Sequence, residues 1–297
     1  MVKNALLVFL GACSFGILST FVKLAYAEGY TLGEVTGVQV FFGMVLLWVL
    51  FFAGKATGIV KSRPAAGKDA AWKLVVGGVS TGLVSITYYK CVQLVPASIA
   101  IILLMQFVWI GILLEYLIFR SRPTRPQLYG MFLVVGGTLL AAGLFNQQGI
   151  ELSPSGILFG VLAATFYSVF MIVNSRLGNG YPPVQKSALL LTGSCILIFA
   201  VFPPAFLFNG TIAGTLWQWG LVLSLFGTVI PPLLFAVGIP KIGVTVSSII
   251  SAAELPVAVL MSYFILSENV SALQWLGVAI MLSAIVVSNV LGKKAAG

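Results

Sequence analysis

The chain has 297 residues, of which 60% are hydrophobic and 8% charged, with a formal net charge of +9. A soluble domain carries roughly 25% charged residues, so an ordinary water-facing surface is excluded. Histidine is absent, which removes the commonest general base and most metal sites.

Apolar runs such as Ala5–Val22, Val35–Ala53, Leu128–Phe145 and Trp275–Val290 match a hydrocarbon core about 30 Å thick. The expectation is an all-α polytopic membrane protein with ten spans, at about 4–27, 32–53, 71–93, 97–119, 127–145, 154–175, 183–207, 216–238, 244–266 and 271–291. The first run follows Lys3 but has no small-residue cleavage site after it, so it reads as a span rather than a signal peptide. Turn-rich stretches such as "KSRPAAGKD", "RSRPTRP" and "RLGNGYPP" separate the spans. None is long enough for a separate domain. Cys13, Cys91 and Cys195 lie singly inside apolar segments and read as small packing residues.

Strict alternation puts fourteen of the sixteen lysines and arginines on one side: Lys3, Lys55, Lys61, Arg63, Lys68, Lys73, Arg120, Arg122, Arg125, Arg176, Lys186, Lys241, Lys293 and Lys294. The other side holds Glu28, Glu34, Glu151 and Glu268. By the positive-inside rule the basic side, with both termini, faces the cytoplasm. Topology and anionic lipid then account for the charge, without nucleic acid.

The chain also echoes itself. "LYGMFLVVGGTLLA" (128–141) stands against "WLGVAIMLSAIVVS" (275–288), and Gly11, Ser19 and Phe21 against Gly160, Ser168 and Phe170. The shifts, 147 and 149, are close to half the length. The expected organisation is a first five-helix repeat over 1–148 and a second over 149–297, forming one membrane domain. An odd number of spans per repeat inverts the second, an arrangement common in secondary transporters.

Ten spans as five plus five, with "LVPASIAIILLMQFVWIGILLEYLIFRSRPTRPQLYG" in one half and "KIGVTVSSIISAAELPVAVLMSYFILSENVSALQWLG" in the other, resemble the EamA-type branch of the drug/metabolite transporter superfamily. The second stretch carries small residues, a Glu-x-Pro at Glu254–Pro256, and Glu268 nine residues before Gly277. The resemblance implies a carrier of a small organic solute in the inner (plasma) membrane, often an exporter. The first half departs from the pattern: Ser121 stands where the second has Glu268, and no proline matches Pro256. An asymmetric site is therefore expected.

Of the ionisable residues within spans, Lys23 and Lys90 sit near the outer ends and can snorkel, or form a cationic vestibule. Glu115 lies near the inner end, where pairing with Arg120 and the basic loop is expected. Glu254 is about ten residues from each end of its span, too far to snorkel. A carboxyl at that depth costs about 2.5–3.5 kcal/mol, and burial favours its neutral form. Either it is a structural acid bonded to a neighbouring helix or it binds a proton or cationic group. Around it the sequence offers Gln106 with Phe107 and Trp109, Gln39, Ser14 and Ser19, Tyr88, Tyr89, Lys90, Tyr167 and Ser168. A few polar groups among aromatics suit a modest organic solute. Gly78-x-x-x-Gly82 and Gly156-x-x-x-Gly160 permit close helix packing, while Pro231, Pro232 and Pro256 are expected to kink their spans.

The expected function is a secondary carrier working by alternating access around a midplane cavity, with Glu254 as both substrate-binding and proton-coupling group. Uptake and a passive channel are the alternatives. An intramembrane enzyme lacks a nucleophile–base pair. No phosphate-binding loop, cofactor or metal site is expected. The expected partners are a small-molecule substrate and the bilayer, with the chain a monomer.

Overall fold

The computed structural model describes residues 2–60, 70–95, 97–141, 153–265 and 271–294. Within these, thirteen helical segments join into ten rods. They are α1 (Val2–Ala27), α2 (Leu32–Ala56), α3 (Ala71–Leu94), α4 (Ala97–Met105), α5 (Phe107–Phe119), α6 (Arg125–Ala141), α7 (Pro154–Arg176), α8 (Pro183–Val201), α9 (Leu216–Ser224), α10 (Ile230–Ile242), α11 (Val244–Ser251), α12 (Glu254–Ile265) and α13 (Ala272–Lys294).

The helix starts follow from local chemistry. Thr31 and Glu34 form a reciprocal capping box before α2. Ser153 caps α7, with Pro154 in its first turn, where its missing N–H is no loss. Ser271 and Gln274 exchange backbone and side-chain hydrogen bonds at the start of α13.

Seven rods are long and apolar enough to cross a membrane: Val2–Ala27, Leu32–Ala56, Ile99–Phe119, Pro154–Arg176, Pro183–Val201, Leu216–Ile242 and Val244–Ile265. Of the other three, α6 and α13 show described apolar stretches over Arg125–Ala141 and Ala272–Ser283, and α3 carries Ser80, Thr81, Ser85, Thr87, Lys90 and Gln93. α3 tolerates these because it packs between α7 and α8. There Gly78 lies against the Leu190 carbonyl and Gly193 against the Val75 carbonyl, so close that neither position has room for a Cβ. α6 and α13 form a peripheral pair, with Gly137 set against the Gly277 carbonyl. Phe52, Leu117, Phe132 and Phe264 are exposed on the outside, the surface expected of a protein solvated by lipid.

Three rods are broken. The expected fourth span parts at Gln106 into α4 and α5, and the ninth at Ala252–Ala253 into α11 and α12. The eighth runs through a π-type turn at Leu225–Val229 between α9 and α10. The prolines stand at these breaks: Pro231 and Pro232 directly follow the π-type turn, in which Ile230 N–H bonds back to the Leu225 carbonyl, and Pro256 in the first turn of α12 lies four residues after Ala252, the position whose helical hydrogen bond a proline removes. The seventh span ends at Val201, six residues earlier than expected. Short 3-10 turns at Ala205–Leu207 and Thr211–Ala213 follow it. Phe206 from the first of them is buried beside Gly37 of α2.

Arg176 meets Glu115 and Phe119 at one end of the bundle, here the basic end; Glu28 and Glu34 lie at the opposite end, beside Thr215 and Lys90. Lys61, Arg63, Lys68, Glu151 and Glu268 lie outside the described residues. Lys186, expected beside a basic loop, is instead buried. Its Nζ donates to the Asn174 carbonyl at 2.7 Å and to Asn179 Oδ1 at 3.0 Å, holding the C-terminal end of α7.

Candidate functional site

Glu254 is the first residue of α12, placed by the break in its rod at the centre of the bundle, with 3% of its surface exposed. At the start of α12 the Leu255 and Val257 N–H groups bond to the Ala252 and Ala253 carbonyls and Pro256 has none, so what the helix start offers the carboxyl is the positive end of the helix dipole. α1 comes close enough to cover it because residue 16 is glycine: a Cβ there would lie 2.5 Å from the Glu254 carbonyl and 2.8 Å from Val257 Cβ. The Tyr167 hydroxyl of α7 donates to the Glu254 carboxyl. Its ring is held edge-on by Phe107 at 4.5 Å and by Phe15 at 6.1 Å between centroids.

The carboxyl looks into a cavity of about 70 Å³. Its polar lining comes from Ser19, Gln39, Thr81, Ser85, Tyr88, Tyr89 and Tyr167, and its apolar walls include Phe15 and Phe170. Gln39 and Tyr89 are joined, the Tyr89 hydroxyl donating to Gln39 Oε1 at 2.7 Å. No lysine or arginine is among the lining residues. Ligand pockets for drug-sized molecules run to roughly 300–1,000 Å³, so the space beside Glu254 in this state is small for such a molecule.

Both ends are latched. At the opposite end Glu28 accepts hydrogen bonds from Thr215 Oγ1 at 2.7 Å and Trp219 Nε1 at 2.9 Å, tying the end of α1 to the start of α9. Those bonds, from Trp219 first and Thr215 second, hold the exposed Glu28 carboxyl below the usual carboxylate range. At the basic end Glu115 of α5 accepts from the Thr245 backbone N–H at 3.2 Å and from Thr245 Oγ1 at 2.7 Å. Arg176 reaches it at 3.7 Å while stacking on Phe119. The expected Glu115–Arg120 partnership is therefore replaced. Arg120 adopts a left-handed backbone that ends α5, and the guanidinium that pairs comes from α7.

Of the expected site residues, Glu254, Tyr167, Tyr88, Tyr89 and Gln39 are brought together. Four are not. Trp109 is 39% exposed and donates to Gln106 Oε1 at 2.7 Å, while Gln106 Nε2 donates to the Ile102 carbonyl at 3.0 Å. That pair braces the break between α4 and α5 outside the cavity. Lys90 lines a separate crevice of about 540 Å³ at the opposite end, with Glu34, Gln93 and Asn209. Ser14 turns its hydroxyl to the Phe226 carbonyl at 2.8 Å, satisfying a carbonyl of the π-type turn. Phe15, Gly16, Thr81, Ser85, Gly227 and Thr228 line the cavity without having been singled out, and Phe170, named only as a repeat match, lines it too. Their only signal is adjacency, since Phe15 and Gly16 follow Ser14, and Phe170 lies one helical turn from Tyr167.

The sequence pattern of the EamA-like transporter family matches this chain twice, at residues 2–143 and 154–290. The chain is 26% identical over 264 residues, 86% of its length, to the "Uncharacterized inner membrane transporter YicL" of Salmonella typhimurium, covering 84% of that protein. It is 23% identical over 282 residues to the "Uncharacterized transporter YcbK" of Bacillus subtilis, spanning 92% of this chain and 88% of that one. Similarity to the "Uncharacterized transporter YwfM" of the same organism is 25% over 186 residues, 61% of this chain and 60% of the relative. A solved crystal structure superposes with a TM-score of 0.76 over 98% of this chain and 97% of that one, at 16% identity.

Proposed function

This chain belongs to the EamA-like transporter family, and on that premise we propose that it is a secondary carrier for a small organic metabolite, working by alternating access around the cavity at Glu254. It is a multi-pass membrane transporter and not an enzyme. The observation that carries the finer reading is the closed centre: a buried carboxyl in an aromatic-walled cavity of about 70 Å³, latched at both ends by pairs that join the two family matches. Glu28 meets Thr215 and Trp219; Glu115 meets Thr245 and Arg176. A channel needs a continuous opening, whereas a carrier needs a centre that can be shut on both sides.

Glu254 takes up and releases a proton as the bundle changes state, while Tyr167, Tyr88, Tyr89 and Gln39 contact the solute. The two matches, at residues 2–143 and 154–290, support two repeats, 1–148 and 149–297, of inverted orientation. The basic connections support cytoplasmic termini, and the relative named an inner membrane transporter supports that location. Export is the direction proposed, and one chain holds both repeats, so a monomer suffices.

The test is two-step. Thermal stabilisation of the purified protein against a metabolite panel selects a solute, and counterflow of that labelled solute is then measured in proteoliposomes. Saturable counterflow is expected. Non-saturating flux without counterflow would replace the carrier by a channel.

A further inference from the structure

The cavity beside Glu254 is one-sided in its charge. Its described lining holds a single carboxyl and neither lysine nor arginine. Lys23, one turn beyond Ser19, and Lys90, next to Tyr89, line no part of it. The start of α12 adds roughly half a positive charge, which a full carboxylate outweighs. With Glu254 ionised, the cavity is therefore net negative.

Its other groups suit the same sign. Phe15, Tyr167 and Phe170 make one aromatic wall, with centroids 6.1 Å apart between the first two and 5.6 Å between the last two. Tyr88 and Tyr89, 6.1 Å apart, add two more rings. The faces of such rings attract cations. The hydroxyls divide into committed and uncommitted. Tyr89 donates to Gln39 and Tyr167 to Glu254, and the Thr81 oxygen is sealed from water. The Ser19 and Tyr88 hydroxyls also line the cavity and have no hydrogen-bond partner among the described residues. Tyr88 faces the Glu254 carboxyl.

A carboxylate, free hydroxyl oxygens and aromatic rings are the partners an organic ammonium needs. A carboxylate entering the same space would meet the charge of Glu254 and neutral donors alone. Nothing on the lining would offset its desolvation.

We propose that the solute of this site is a small organic amine, taken as its ammonium cation, with an aromatic or apolar body and no carboxylate. The proposal rests on the reading of this cavity as the solute site of a carrier. The ammonium head lies at the Glu254 carboxylate, and the Tyr88 and Ser19 oxygens accept its remaining N–H groups. An ammonium group is about the size of a water molecule, which needs only roughly 10–15 Å³, so the head fits the cavity of about 70 Å³ as it stands. The body lies along Phe15 and Phe170, in space that widens when one end unlatches. The amino acid with the same side chain is refused, because its carboxylate has no cationic partner.

The experiment titrates matched probes into the full chain in lipid nanodiscs and reads binding by calorimetry. One set is 2-phenylethylamine, 2-phenylethanol, L-phenylalanine and 3-phenylpropionate; the other is butylamine, butanol, norvaline and pentanoate. Within each set the body is constant and the charged groups change. At least one amine is expected to bind about tenfold or more tightly than the other three members of its set. Glu254→Gln is expected to bring that amine down to the level of its alcohol; exchange at saturating amine persists, because the amide still accepts a hydrogen bond. The proposal is overturned if no amine binds, if another member binds as tightly as its amine, or if the folded Gln variant keeps the amine affinity. Labelled ligand is then followed in proteoliposome counterflow. Saturable counterflow of an amino acid or acid in preference to its amine overturns the amine while leaving the carrier. Tight amine binding with non-saturating flux leaves the cation site and removes the carrier reading.

Discussion

Removing the Glu115 side chain tests the packing at the basic end most sharply. Glu115 is 7% exposed and accepts two hydrogen bonds from Thr245, one of them from a first-turn N–H of α11 that has no intrahelical acceptor. Hydrogen bonds to a charged acceptor contribute about 1.5–3 kcal/mol each when deleted. The Arg176 contact, 3.7 Å long with the arginine side chain 48% exposed, is screened and adds about 1 kcal/mol or less. Glu115→Ala is thus expected to cost about 3–5 kcal/mol, mostly from the two Thr245 hydrogen bonds, and Arg176→Ala about 1 kcal/mol or less. The assay is equilibrium denaturation in detergent–lipid micelles, with the double variant closing the cycle. Because Arg176 has little to lose once Glu115 is gone, the double variant should fall within about 1 kcal/mol of Glu115→Ala. A Glu115→Ala cost below about 0.5 kcal/mol, the size of an ordinary surface change, or an Arg176→Ala cost equal to it, would refute the reasoning.

Three further outcomes follow from other contacts. Tyr167→Phe keeps the ring packing against Phe107 and loses only the donor to Glu254, so denaturation should report a loss of about 1–3 kcal/mol; a loss as large as that of Tyr167→Ala would mean that the ring contacts fail too. Gly193→Val drives a branched side chain into the Val75 carbonyl and should destabilise by about 1–3 kcal/mol or more, read as a lower denaturation midpoint and a smaller monodisperse fraction. The Glu28 carboxyl is depressed by its bonds from Trp219 and Thr215. Its contribution to stability is therefore present above the unfolded carboxylate value and is lost as pH falls through the lower folded value. Glu28→Gln should flatten that acid limb of a melting-temperature profile, and an unchanged limb would assign it to other carboxyls.

Much of the architecture was legible because lipid-spanning helices announce themselves by length and apolarity alone. The ten rods stand close to where the hydropathy runs put them. The break at Ala252–Ala253 falls four residues before Pro256, which cannot donate to the Ala252 carbonyl, whereas the break at Gln106, with no glycine or proline at it, did not announce itself. Glu254 was legible because a carboxyl ten residues from either end of a span has few bland explanations. Its neighbours were harder. When every face of a helix is apolar, sequence does not reveal its rotation, so Trp109 could be expected inward while the structure turns it out against Gln106. Lys90 follows Tyr88 and Tyr89 in sequence, yet lines a different crevice. Glu115 read naturally with Arg120 one turn away, whereas its partners come from α7 and α11, contacts between distant stretches that no local pattern encodes.

The central claim is that Glu254 couples solute movement to protons. The direct measurement compares the wild-type chain with Glu254→Gln in proteoliposomes, recording both counterflow of the selected solute and its net movement under an imposed pH gradient. The account predicts that the folded Gln variant retains exchange of solute for solute but loses its response to the gradient. A Gln variant driven by the gradient as strongly as the wild type, across pH, would contradict it.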